Sequence, residues 1–178
     1  MTRFLSPLRR LAGATLGVTC LLAAATQPSS AQSTPTWAKY NAKTKTASLT
    51  IIAAYGQDTY NFDGGSNGQL TFTVPLGAKV KVTFSNNSAQ MPHAMEIVAY
   101  DGTLPTTTPP PPPAFPGAAS PNYQHGTPPG GTQKFSFKAT KAGKYLLICP
   151  VHNHVKFGHW DWFVVSKKAT TARAVLKP

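Results

Sequence analysis

From residue 47 onward the chain alternates apolar and polar residues over short runs. Gln69 to Val74 reads Gln-Leu-Thr-Phe-Thr-Val, which puts Leu70, Phe72 and Val74 on one face. Lys79 to Phe84 puts Val80, Val82 and Phe84 inward in the same way. Ala47–Ala54, Ala94–Tyr100, Lys134–Lys138, Lys144–Cys149 and Trp160–Val165 complete a set of short apolar or alternating segments bounded by Gly, Pro and Asn. Side chains of a strand point alternately to its two faces, so this period of two predicts half-buried strands packed as a sandwich or barrel. Nothing after residue 31 has the periodicity of an amphipathic helix of ten or more residues. The expected architecture is all-β, with the domain spanning 47–166 between an N-terminal extension (32–46) and a C-terminal tail (167–178).

One segment breaks the alternation. Asp101 to Thr132 is rich in Pro, Thr and Gly and contains the run Pro109–Pro113. Consecutive prolines lack backbone donors and favour an extended polyproline rod. The segment reads as a long surface insertion between two strands, serving either as a stiff solvated flap or as a cover and docking surface.

The first residues change the compartment rather than the fold. Arg3, Arg9 and Arg10 precede an apolar run from Leu11 to Ala25 and a small-residue stretch ending at Ala31. A basic head, a short apolar middle and small residues at the end describe a signal peptide over 1–31. The alternative is a retained anchor, but the apolar run is shorter than the roughly 20 residues that span a bilayer. Export implies a periplasmic or extracellular location. Removing residues 1–31 leaves 14 Lys and Arg against 5 Asp and Glu, a formal charge of +9, and Cys149 as the sole cysteine. Scattered lysines in an exported protein argue against nucleic acid as a partner. They suit an acidic partner, an anionic membrane surface or an acidic medium. A lone exported thiol invites oxidation unless it is buried or bound, so Cys149 is the residue that needs a reason.

That reason is in its surroundings. A strand runs into Cys149, and His152, His154 and His159 follow within ten residues before Trp160 opens the next strand. A fourth histidine, His93, follows the polar turn Asn86–Gln90. The fifth, His125, sits in the Pro-rich insertion and reads as an exposed loop residue. A soft thiolate and imidazoles on loops between strands form the ligand set of a copper electron-transfer site. A stiff β scaffold holds the metal between the geometries of its two oxidation states.

On these residues the chain resembles the cupredoxin superfamily, and within it the sulfocyanin and rusticyanin branch. The match rests on Met91-Pro92-His93-Ala94-Met95-Glu96-Ile97-Val98, on Phe115-Pro116-Gly117-Ala118 with Pro128-Pro129-Gly130-Gly131, and on the Cys149 loop. The resemblance implies a Greek-key β-sandwich and a single copper ion. In that branch the loop reads Cys-x4-His-x4-Met with Gly before the Met. Laid on this chain, it makes Cys149 the thiolate, His154 and His93 the imidazoles and Gly158 the glycine. The axial place falls on His159, where the family has Met. A shorter register, Cys-x2-His-x4-Met, would use His152 and put Phe157 at the axial place. Met91 and Met95 are alternative axial donors, with Met95 reading first as a core residue.

The resemblance implies a one-electron carrier, a monomer, with a cytochrome c or a terminal oxidase as redox partner. Pro92, Pro150, Val151 and Phe157 are the expected apolar ring around the site. An imidazole in the axial place implies a green or red site, and with it an alternative: a small-molecule-binding or redox-active copper enzyme of nitrosocyanin type. Copper delivery or storage is disfavoured, because the chain has only three methionines.

Overall fold

The computed structural model describes residues 37–56, 59–107 and 109–178. The signal peptide expected over 1–31 lies outside the described residues. Among the described residues nine strands form two sheets. The first has four strands in the order β1 (Ala38–Asn41), β2 (Thr46–Ala53), β4 (Lys79–Asn86) and β6 (Thr132–Lys138). The second has five, in the order β5 (Glu96–Ala99), β7 (Gly143–Ile148), β8 (Trp160–Ser166), β3 (Leu70–Pro75) and β9 (Arg173–Leu176). Two neighbouring pairs, β2 with β4 and β3 with β8, run parallel and the rest antiparallel. Parallel neighbours need a crossover, and here the chain crosses to the opposite sheet between them.

The alternation read from the sequence fills the space between the sheets. Leu49 and Ile51 from β2 meet Val80, Val82 and Phe84 from β4; Leu70, Phe72 and Val74 from β3 meet Phe163 and Val165 from β8. All are buried, and residues at the intervening positions of β2, β4 and β6 face solvent. The second sheet is covered on its outer face too. Val98, Leu146, Ile148 and Val155 form a separate apolar cluster there, with Leu104, Trp160 and Trp162 packed on it.

Two expectations change. The strands β1 and β9 lie outside 47–166, because residues assigned to an extension and a tail pair with β2 and β3. The Pro-rich segment is not a solvated flap throughout. Its second half packs into the main core through Phe115 and Ala118, with Phe115 stacked on Phe137 at 5.7 Å and tilted against Tyr145 at 4.9 Å. It also hydrogen-bonds along the edge of β5, with Ala114 N donating to Ile97 O, Ile97 N to Ala118 O and Ser120 N to Met95 O. Its first half, residues 101–107 and 109–113, is largely exposed. No helix among the described residues is long and apolar enough to cross a membrane.

Candidate metal centre

One end of the sandwich gathers His93, Cys149, His154 and His159. β7 ends at Ile148, and Cys149 continues its inward parity into the core. The loop then tightens into a single 3-10 turn, His154–Phe157, entered through Asn153 at φ 63° and left through Gly158 at φ 89°. Gly158 is required twice over. Its positive φ strains any other residue, and a Cβ there would lie 2.5 Å from the Asn67 side chain. Asn67 N donates to Gly158 O at 2.8 Å, which fastens the ligand loop to the segment before β3. Cys149 N donates to His159 O and His159 N to His154 O, so the loop closes on itself around its three candidate ligands.

The other side of the site comes from the first sheet. Asn86, the last residue of β4, is buried and donates through Nδ2 to Met91 O and to Thr127 O, both at 2.8 Å. Its Oδ1 accepts from Ser88 N at 2.9 Å. His93 exchanges backbone hydrogen bonds with Thr127, at 3.1 and 2.7 Å. One asparagine therefore braces both segments that aim His93.

His93, Cys149, His154 and His159 are all buried, and one donor atom from each lies within 4.8 Å of the others. Cys149 Sγ is 3.3 Å from His154 Nδ1 and 3.8 Å from His93 Nδ1. Donors that share an ion at about 2.0–2.3 Å in trigonal or tetrahedral geometry lie about 3.3–3.8 Å apart. The Ala94 amide donates to Cys149 Sγ at 3.3 Å, which suits a sulfur carrying negative charge.

The electrostatics suit a metal as well. Burial, then the neighbouring His154, pushes His93 down to about 4. Burial, then His152, does the same for His154. His159 is pushed well below its ordinary value by burial, then by His93 and His154. All three imidazoles are thus neutral lone-pair donors near neutral pH. Burial pushes the Cys149 thiol up to about 12, with the Ala94 and Val151 amides acting against it. Neither nitrogen of His159 makes a close hydrogen bond, although the Asn61 backbone is near enough to act against the fall of its pKa, and Nε2 of His93 makes none. Buried polar atoms almost always have partners, and a cation at this point satisfies one nitrogen of His159 directly.

His152 is exposed and outside the group, which takes His154 from the same loop. Met95 is fully buried in the main core. Met91 is half-buried at the rim, its Sδ 3.9 Å from the Tyr60 hydroxyl. His125 is exposed, with Nδ1 3.2 Å from Asn122 Oδ1. Of the expected apolar ring, Pro92 and Phe157 are exposed and Val151 is half-buried, but Pro150 is buried. Its place at the surface is taken by Tyr60, a residue the sequence did not single out. The Tyr60 ring stands edge-on to His154 at 5.1 Å and to His93 and His159 at 6.4 Å, and tilts against Phe157 at 5.0 Å. Its only sequence signal is an aromatic in a polar loop. Glu96 and Asp161, both near the ligands in sequence, are also wholly buried.

Two facing β-sheets with a thiolate and imidazoles converging at one end define a cupredoxin-type copper protein. The comparisons carry this to a family. The sulfocyanin (SoxE) domain matches residues 33–176, and the chain belongs to that family. A sulfocyanin of Sulfolobus acidocaldarius is 29% identical over 144 residues, covering 77% of this chain and 72% of that one. A copper-containing nitrite reductase of Neisseria meningitidis serogroup B is 31% identical over 137 residues. That match covers 74% of this chain but 31% of the reductase, so the chain spans about a third of its length. Among solved structures, auracyanin from Roseiflexus castenholzii superposes with TM-score 0.52 at 25% identity, covering 67% of this chain and 96% of that one. A rusticyanin variant gives TM-score 0.53 at 23% identity, over 68% of this chain and 78% of its own, a likeness of fold. The family and the donor group together fit one copper ion.

Proposed function

We propose that this chain is an exported one-electron carrier whose copper is held by His93, Cys149 and His154, with His159 as a fourth, axial ligand. The observation that carries the reading is the state of His159. It is fully buried and neutral, neither nitrogen makes a close hydrogen bond, and its donor atom lies within 4.8 Å of those of His93, Cys149 and His154. The bound copper supplies the redox change; the chain supplies a rigid cage. Loop closure, the Asn86 brace and the Gly158–Asn67 contact fix the donors in place, so little has to move when an electron comes or goes. His154 lies at the end of the molecule where Phe157 and Pro92 are exposed, the natural contact for a redox partner. By family resemblance that partner is a cytochrome c or a terminal oxidase.

An imidazole donates more strongly than the thioether usual at the axial place. If it held copper, His159 would supply this stronger donor and would favour Cu(II) over Cu(I). The expected site is therefore green or red, with a lower potential than a Met site on the same fold. The test is the optical and electron paramagnetic resonance spectra of the copper-loaded protein beside H159M. A bluer variant with a raised potential supports axial coordination. A wild-type spectrum with one dominant blue band and narrow copper hyperfine splitting counts against it.

The nitrite reductase relatives favour a second reading, a redox-active copper enzyme acting on a small molecule. Among the described residues a single group of three or more His, Cys, Asp or Glu is close enough to hold a metal. Turnover of nitrite, nitric oxide or peroxide by the copper-loaded protein would support the enzyme. Reversible one-electron cycling with copper retained and no turnover supports the carrier.

A further inference from the structure

The outer face of the four-stranded sheet is built almost entirely of lysines and hydroxyls. Register places Asn41, Thr46, Lys79 and Lys138 in one row across β1, β2, β4 and β6. The next row holds Lys39, Ser48, Lys81 and Ser136, and the next Thr50, Thr83 and Lys134. Ile52, Ser85 and Thr132 finish the face, and no acidic residue occupies any position on it. All five lysines are exposed. Of the acids among the described residues, Asp63, Glu96 and Asp161 are buried and only Asp101 is exposed.

This arrangement costs stability. Lys79 and Lys138 sit directly opposite each other on an antiparallel pair, where like charges repel. Lysine on an edge strand is a common guard against unwanted strand pairing, and that suffices for Lys134 and Lys138 on β6. It does not explain Lys79 and Lys81, because β4 lies between β2 and β6. Two shallow depressions run along these rows. One of about 430 Å³ is lined by Lys81, Lys134 and the hydroxyls of Ser48 and Thr83; the other, of about 520 Å³, by Lys45, Lys79, Lys138 and Thr44.

We infer that this face docks on an anionic phospholipid surface. A flat lattice of separated point charges with hydroxyls between them matches a plane of phosphate head groups. It lacks the arginine forks and protruding aromatic anchors that mark a specific protein interface. Docking this way keeps the copper end clear. β4 runs from Lys79 to Asn86, the brace of His93, so the Lys79–Lys138 row lies about 23 Å from that end at strand rise. The inference does not depend on copper or on its ligands.

The test is co-sedimentation of the copper-loaded protein with vesicles of phosphatidylcholine alone and with 30% phosphatidylglycerol. Binding is expected only to the anionic vesicles, with release at high salt. The variant K79Q/K81Q/K138Q should bind roughly 100-fold more weakly, at about fivefold per lysine. The control K167Q/K168Q/K177Q removes the same charge from the turn after β8 and the chain's end, and should bind nearly as well as wild type. An unchanged copper spectrum reports that each variant is folded. Equal losses in the two variants would mean that net charge alone attracts the protein, and would overturn the assignment. Equal binding to neutral and anionic vesicles would overturn it too and would leave the face to an acidic protein.

Discussion

Glu96 contributes a stability that falls as pH rises, the reverse of a carboxylate held ionised by a partner. It lies on β5, paired with Ile148, on the same sheet face as Val98 and Leu146. It is wholly buried and neither carboxyl oxygen has a hydrogen-bond partner. Burial raises it from 4.5 to about 8. Between these values the folded chain keeps a proton that the unfolded chain releases. The stabilisation is therefore complete below about pH 4.5 and is lost as pH rises toward 8. One such group contributes at most about 1.4 kcal/mol per pH unit. With half of that removed as the structure relaxes and water enters around the ionised carboxylate, the total over the window is about 2–3 kcal/mol. At a urea m-value of about 2 kcal/mol/M this is a fall of about 1 M in the unfolding midpoint. The assay is urea unfolding of the copper-loaded protein at pH 4.5, 6 and 8, beside E96Q. Glutamine keeps the shape and cannot ionise, so the wild type should lose stability relative to the variant as pH rises from 4.5 to 8. Asp63 and Asp161, each raised by burial to about 8, add a slope of the same sign to both proteins, and the lowered His93, His154 and His159 add one of opposite sign below about pH 6.5, so Glu96 is read from the difference between the two curves. Parallel curves for the two proteins would refute the reasoning, since they would mean that Glu96 exchanges no proton on unfolding.

Copper uptake at pH 7 should release about one proton per ion, from the Cys149 thiol, because the three histidines are already neutral; release of two or more, measured in weak buffer, would contradict this. G158A should destabilise the protein by about 1–3 kcal/mol in urea, through left-handed strain and the clash with Asn67; a neutral substitution would mean that the loop is not held as described. F115A should cost about 3–5 kcal/mol, since it empties a site between Phe137 and Tyr145; a loss below 1 kcal/mol would return the Pro-rich segment to the role of a solvated flap.

What could be read from the sequence was what depends on nearest neighbours. Leu70, Phe72 and Val74 declare a strand face through parity alone, and Cys149 with His154 and His159 declare a site through spacing on one loop. What could not be read depends on distant partners. Residues 38–41 and 173–176 are too short to show a period, and become β1 and β9 only because β2 and β3 offer them an edge. Phe115 looked like part of a proline-rich surface loop, yet it fills the main core. Asp161 shares inward parity with Phe163 and Val165, so its burial was visible in the alternation, but the charge argued the other way. Leu70 N donates to its Oδ1 at 2.8 Å across the sheet, a contact no local pattern announces. Tyr60 shares the site through the segment between β2 and β3, far from the ligands in sequence.

The most direct measurement is copper titration of the purified protein beside C149S, followed by absorption and electron paramagnetic resonance. One Cu(II) per chain and an intense sulfur-to-copper charge-transfer colour that disappears in C149S is the result this account requires. A colour that survives loss of the sulfur, or a wild-type protein that takes up no stoichiometric copper, would contradict it.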